Sequence, residues 1–488
     1  MTHRIPIRPA GVLVLLALLL APSRVPAQQP FPTDSSLRAT LAALVGAGRA
    51  AGVVVGLLEA DGTERVVAYG TPGPGGLPLD GQSVFEIGSI TKTFTGTLLA
   101  DMVRRGEVAV EDPIATLLPP DVAVPTRNGK AITLLDVTTH RSGLPRMPTN
   151  FAPADPTNPY ADYSERQLYA FVSNYALPRD PGAESEYSNL AMGLLGQALA
   201  RRAGTSYENL VTERLLRPLG MEHTGITLTP WMREHLAHGH DALGDPTANW
   251  DIPTLAGAGA LRSTTTDMLR YAAANLATAD TGLLGAMHEA VRARRAFGTQ
   301  GDSIGFNWIV SRPGERAITW HNGGTGGYRT FLGLDRAAGR AVVVLTNSGG
   351  TGLDDLGFHL LDPAVPLARA PVAPAVARAY GEGGVEAAIA RYRTLRGTEA
   401  DRWELGETQL NTVGYWLLRR ARIDDAIAVF RVNVEMFPDA SNPYDSLGEA
   451  YLARGDTARA ITNYKRSVEL NPGNTGGLEV LRRLGVQQ

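Results

Sequence analysis

There is no cysteine anywhere in the 488 residues. That excludes disulfides, thiolate metal sites, a cysteine nucleophile and a lipidated cysteine. A chain without cross-links must draw its stability from the size of its core. Charge of one sign is equally scarce: the formal net charge is −3, with no long acidic or basic run. A nucleic-acid binder with a broad basic face is therefore excluded, and no charged tail is expected. Long apolar runs are missing too, with one exception. Gly11 to Ala21 is almost wholly apolar, follows Arg4 and Arg8, and precedes Val25-Pro26-Ala27. This reads as a cleavable export signal over residues 1–27, because the run falls short of the roughly 20 residues that span a membrane. An uncleaved anchor is the alternative. A periplasmic or secreted location follows from that signal alone, with no stable membrane span once it is removed.

What is present is ample apolar content, 44% of a chain too long for one core, so two or three domains are expected. A helix is expected from Ser36 to Ala47, then a strand Val53–Leu58, a turn at Asp61-Gly62 and a return strand Arg65–Tyr69. Strand signals recur late, at Ala317–Trp320, Tyr328–Leu334 and Ala341–Leu345, after a middle of helices and Pro/Gly-rich loops between about 71 and 310. Strands at both ends with helices between them predict an α/β (α+β) domain whose antiparallel sheet is closed by the two ends of residues 28–362.

Pro363, Pro366, Pro371 and Pro374 then mark an Ala/Pro-rich stretch, read as a stiff linker over 363–383. The remainder, 384–488, is helical and repeats. Gly414 and Gly448 stand 34 apart, as do Leu417 and Tyr451, Ala426 and Ala460, Phe430 and Tyr464, and Pro438 and Pro472. This resembles the tetratricopeptide repeat, with small residues where paired helices touch and a proline closing each unit. Gly384–Leu395 reads as a partial unit and Gly476–Leu484 as a capping helix. A plain helical bundle is the alternative. Such repeats point to a possible protein partner.

Three constellations carry chemistry. Ser89-Ile-Thr-Lys92 opens a helix whose apolar positions Ile90, Phe94, Leu98 and Met102 share one face. Ser89 and Lys92 are thereby placed on the same side of its first turn, near backbone N–H groups that favour an anion. Tyr187-Ser188-Asn189 precedes a second helix, rich in leucine and ended by Gly204. A neighbouring Lys92 cation would favour the Tyr187 phenolate, and the two are read as a joint base. His321-Asn322-Gly323-Gly324 ends a strand, where glycines admit a substrate backbone and free N–H groups. Each taken alone is weak: a helix cap, a surface lysine or a glycine hairpin accounts for it.

Taken in order, Ser-x-x-Lys, Tyr-x-Asn and His-x-Gly resemble the serine β-lactamase and penicillin-binding-protein superfamily. Tyr-x-Asn points to its class C β-lactamase-like branch of D-amino-acid peptidases and esterases. Leu134–Pro145, Pro218–Met221 with Thr224, and Gly257–Asp267 resemble that branch as well, so the likeness covers about residues 36 to 350. The resemblance implies a β-lactamase/transpeptidase-like fold in which Ser89 forms an acyl-enzyme and Lys92 and Tyr187 manage its proton. Asn189 contacts the substrate amide or holds Lys92. The N–H groups of Ser89 and Gly324 form the oxyanion hole, and His321, Asn322 and Gly323 line the substrate strand. No cofactor and no metal are implied.

Where many relatives carry a lysine, this chain has His321, and Asn322 replaces a hydroxyl donor. Histidine is mostly neutral above its reference pKa of about 6.5. Carboxylate-bearing β-lactams are therefore expected to be poor substrates, with neutral esters, amides or D-amino-acid peptides preferred. His235, His238, His240 and Asp241 crowd together without the spacing of a zinc site. His140 is read as structural, and Glu184 and Glu186 as solvated. The competing function is a non-catalytic scaffold that senses a peptide and binds partners through its repeats.

Overall fold

The computed structural model describes residues 30–486; the expected export signal, 1–27, lies outside them. The helix Asp34–Gly46 is capped by Thr33, whose hydroxyl accepts from the Ser36 amide. It leads into the antiparallel pair Gly52–Leu58 and Glu64–Gly70. Gly52–Leu58 then pairs on its other side with Arg340–Thr346, Val53 opposite Thr346 and Leu58 opposite Ala341. The two ends of the domain do close one sheet. Outward from there follow Arg329–Asp335, Ile318–Gly324, Ile309–Ser311, Asp302–Ile304 and Arg295–Phe297, eight strands in all. The last three are short strands that the sequence reading left within its loops and helices. They alternate poorly and are only partly buried, so periodicity gave no signal.

The helix Thr91–Arg104 runs through the core with every residue from Thr91 to Met102 buried. Ile90, Phe94, Leu98 and Met102 are all fully buried, each contributing roughly 1.5–3 kcal/mol relative to exposure. A small second sheet, Val84–Glu86 against Arg262–Thr264, delivers the chain to that helix. The buried Glu86 carboxylate accepts from Arg262 at 3.4 Å and from the Trp250 amide at 2.8 Å. The helix Asn189–Ala203 is capped by Ser188, which accepts from the Ala191 amide at 2.9 Å, and is ended by Gly204 in the left-handed region.

From Pro32 onward the chain is one compact unit, and its C-terminal part is helical. Residues 363–383, expected as a linker, are helical from Ala373: one kinked helix covers Ala373–Thr398, broken at Gly383 and Gly384. Pro374 sits in its first turn, where a missing N–H costs nothing, and Val372, Val376 and Ala377 are buried in the C-terminal core. Antiparallel helix pairs follow, Glu407–Arg419 with Ile423–Met436 and Ser441–Ala453 with Thr457–Leu470, then Thr475–Arg483. Among the described residues no helix is long and apolar enough to cross a membrane.

Candidate active site

Ser89 sits in a single tight turn, Gly88–Ile90, that runs directly into the buried helix. Gly88 adopts φ +50°, and a Cβ there would lie 2.6 Å from the Gly324 amide nitrogen. A Cβ on Gly323 would lie 2.0 Å from the Ile87 carbonyl. Glycine at these places is what lets the Ile318–Gly324 strand lie against the Ser89 turn. The His-Asn-Gly-Gly stretch is thus part of the strand rather than its sequel, with His321 opposite Leu332 and Gly324 opposite Arg329.

Lys92 is fully buried, and its Nζ lies 2.9 Å from Ser89 Oγ. The same nitrogen donates to the Ala258 carbonyl at 2.6 Å. Burial, reinforced by the Arg146 charge, holds its pKa well below the ordinary lysine range. Nζ also stands 4.9 Å from the centre of the Tyr187 ring. Ser89 and Tyr187 thus line one cleft, with the Lys92 amine beside both. Their charge state differs from expectation. Burial pushes the Tyr187 phenol above its usual range, outweighing the opposing pull of Ser89 and Arg146. Desolvation, not a lysine cation, sets the balance, and it drives both groups toward their neutral forms.

Asn189 lines the cleft. Its Nδ2 points at Met147 Sδ, 3.7 Å away, and its buried Oδ1 has no hydrogen-bond partner among the described residues. It makes no bond to Lys92 among the described residues, so the expected hold on the lysine is not made. His321 lies beneath the cleft rather than in its wall. It is 1% exposed, its Nδ1 is 2.6 Å from the Asn322 carbonyl, and its ring packs 6.2 Å from that of Tyr187. Burial and then Lys92 lower its pKa to about 3, so position 321 carries no cation. The Asn322 amide donates to Asp354 at 2.5 Å; burial raises that carboxyl to about 6.

Other residues complete the site. His140, with φ +56°, accepts the Ser188 amide on Nδ1 at 3.2 Å, and its ring lies tilted, 4.5 Å from that of Tyr187. It fixes the turn that presents the phenol. Glu186, expected in solvent, pairs with Arg179. The open cleft, about 520 Å³, is also lined by Arg146, Tyr160, Trp250 and Arg329. None of these four was singled out from sequence. Arg146 follows the Gly-Leu-Pro of a recognised stretch by one position, which was the available signal; Tyr160 and Trp250 lie in loops without any pattern. Arg329 is turned into the Thr325 and Tyr328 carbonyls, at 2.7 and 3.0 Å. Arg146 is exposed, stands 5.0 Å from the Tyr187 ring, and has no carboxylate partner among the described residues. His235 stacks on Trp231 and His240 Nδ1 faces the Asn347 carbonyl, so neither turns toward the other.

The Beta-lactamase family matches residues 37–365, about two thirds of the chain. The chain belongs to the beta-lactamase family. Within that family it is 31% identical over 333 residues to the D-alanyl-D-alanine-carboxypeptidase/endopeptidase AmpH of Escherichia coli, covering 64% of this chain and 84% of that one. A beta-lactamase of the same organism is 32% identical over 205 residues, 42% of this chain and 50% of the other. Among solved structures, a beta-lactamase/D-alanine carboxypeptidase from Pseudomonas syringae superposes with a TM-score of 0.59 at 22% identity, covering 68% and 99%. A class C beta lactamase from Rhodobacter sphaeroides gives 0.56 at 22%, covering 66% and 95%. These superpositions show the beta-lactamase fold, and the chain is a serine hydrolase of that family.

Proposed function

We propose that this protein is an exported acyl-transfer hydrolase that cleaves peptides ending in D-alanine through an acyl-enzyme on Ser89. The observation that carries the reading is the buried Lys92 amine 2.9 Å from Ser89 Oγ. The Ala258 carbonyl occupies one N–H and leaves the lone pair of the neutral amine for the serine proton. As Oγ bonds to the substrate carbonyl carbon, its proton passes to Nζ. The oxyanion faces the N–H groups of Ser89 and Gly324. Collapse breaks the amide bond, and the leaving amine takes a proton from Lys92 by way of the Tyr187 hydroxyl. Water then repeats the sequence on the ester, releasing the acid and restoring Ser89. Asn189 Oδ1 accepts from the substrate amide.

The substrate class is supported by the likeness to a D-alanyl-D-alanine carboxypeptidase/endopeptidase and by the cation in the wall. Position 321 supplies none, but Arg146 does, placed to pair with a terminal carboxylate. Export rests on residues 1–27. In the C-terminal part, a Cβ on Gly414 would lie 2.3 Å from the Phe430 ring and one on Gly448 3.0 Å from the Tyr464 ring. The same small-on-aromatic contact 34 residues apart supports two tetratricopeptide-like units and a protein partner for them.

The test is a panel of D-alanyl-D-alanine peptides with free or amidated C-termini, a nitrophenyl ester and a chromogenic cephalosporin. The free peptide is expected to be cleaved best. Arg146→Ala raises its KM about tenfold, the scale of one lost charge-assisted contact, and leaves the amidated peptide unchanged. Cephalosporin hydrolysis near the diffusional ceiling of about 10⁸ M⁻¹s⁻¹, with no peptide cleavage, would overturn the reading.

A further inference from the structure

The C-terminal helices touch the hydrolase domain at a loop that also builds the cleft. Asp245 Oδ2 accepts from the Trp416 indole at 2.7 Å and pairs with Arg420, whose guanidinium lies 4.1 Å over the Trp416 ring. Arg419 stands 3.8 Å from Asp241, and Leu243 packs on the C-terminal core. The loop is internally tied: Asp241 Oδ1 accepts the amides of Leu243 and Asp245 at 2.9 and 3.0 Å. Asp245 is therefore held within a tied turn over 241–245.

Five residues later comes Trp250, in the wall beside Ser89. The approach is fastened throughout. The Thr247 amide donates to Gly239 at 2.9 Å, and Asn249 Nδ2 donates to Glu86 at 3.0 Å and to the Tyr328 hydroxyl at 2.9 Å. Glu86 also accepts the Trp250 amide and lies three residues before Ser89. Trp250 packs 5.3 Å from the Tyr160 ring and so close to Gly326 that a Cβ there would lie 2.8 Å from its indole nitrogen.

We infer that Trp416 and Arg420 are positioning residues for substrate binding, which act through Asp245 to set Trp250 against Tyr160 in the cleft wall. The C-terminal helices are thus part of the substrate-binding apparatus. The exposed Asp245–Arg420 ion pair contributes little stability by itself. What it and the indole N–H fix is the path of the loop. The inference rests on the cleft being the substrate site.

The test uses the full-length protein. Trp416→Phe keeps the stacked ring and removes the N–H; Asp245→Ala removes its acceptor; Arg420→Ala removes the exposed partner with least risk to folding. Each is expected to raise KM for the free D-alanyl-D-alanine peptide about 3- to 30-fold, with kcat within twofold. The Trp416→Phe, Asp245→Ala double variant should be no worse than its worse parent, because both cut one connection. Tyr415→Phe, which loses only the bond from its hydroxyl to Glu449 within the repeats, should leave KM unchanged. Amide hydrogen exchange over 247–250 should quicken at least fivefold in Arg420→Ala and Trp416→Phe. Unchanged KM and exchange in Arg420→Ala, or an equal KM rise in Tyr415→Phe, overturns the inference. The exchange arm needs no turnover, so failure of the proposed activity and failure of this coupling are told apart.

Discussion

Ser89→Ala is expected to fold like the wild type and to lose turnover by about 10⁴- to 10⁶-fold, the scale seen where a serine nucleophile is removed. The change deletes one oxygen from a turn whose geometry is held by neighbours. Gly88 at φ +50°, the buried Ile90 and the small Val84–Glu86 sheet remain. Lys92 keeps its bond to the Ala258 carbonyl, and Arg146, Tyr160 and Trp250 keep the cleft wall. Substrate affinity should therefore persist within a few-fold while the chemical step is lost. Steady-state kinetics together with peptide binding by calorimetry check both halves. Retained turnover places the nucleophile elsewhere.

Lys92→Met carries the second large effect, a fall in acylation rate of about 10²- to 10⁴-fold, the usual weight of a positioned general base. Methionine matches the volume of the buried stem, so packing is kept. The reactive form is the neutral amine. The wild-type acylation rate thus climbs with pH through the native Lys92 pKa and levels above it. Burial and Arg146 place that limb well below the ordinary lysine range. In the variant the limb disappears.

Stability moves the other way. The unfolded lysine titrates at about 10.4. Between the depressed native pKa and that value the unfolded chain binds one more proton than the native one. Wild-type stability accordingly rises by up to about 1.4 kcal/mol per pH unit across that window. Removing the amine removes this burden, so Lys92→Met should melt higher than wild type at neutral pH. A slower, more stable variant is the signature of a base kept uncharged by burial.

How much of this was legible in the sequence follows from where the information lies. The central helix could be read because Ile90, Phe94, Leu98 and Met102 repeat with the helical period, and all four are buried. The sheet closure could be read from apolar strands at both ends. The short strands Arg295–Phe297 to Ile309–Ser311 could not, since three half-buried residues carry no period. The helix from Ala373 is not legible in the prolines of 363–383, because Pro374 is harmless in a first helical turn while Val376 and Ala377 face a core.

At the site, residue types point to Ser89, Lys92, Tyr187 and Asn189, which lie together at the cleft, but their ionisation is not legible. Sequence shows a lysine beside a tyrosine; it does not show that both are wholly buried, and burial reverses the expected sign for the phenol. His321 was read as a substrate contact from its place on the strand, yet the strand's alternation turns it inward. Ala258 escaped notice because its contribution is a backbone carbonyl, and Trp250 because its position depends on bonds to Glu86, 164 residues earlier.

Intact-mass spectrometry of the wild-type protein, quenched during turnover of a D-alanyl-D-alanine peptide ester and followed by peptide mapping, tests the central assignment most directly. The expected result is a mass increase equal to one acyl group, carried on the peptide that contains Ser89 and absent once turnover is complete. Turnover with no adduct at any quench time, or an adduct carried by another residue, contradicts it.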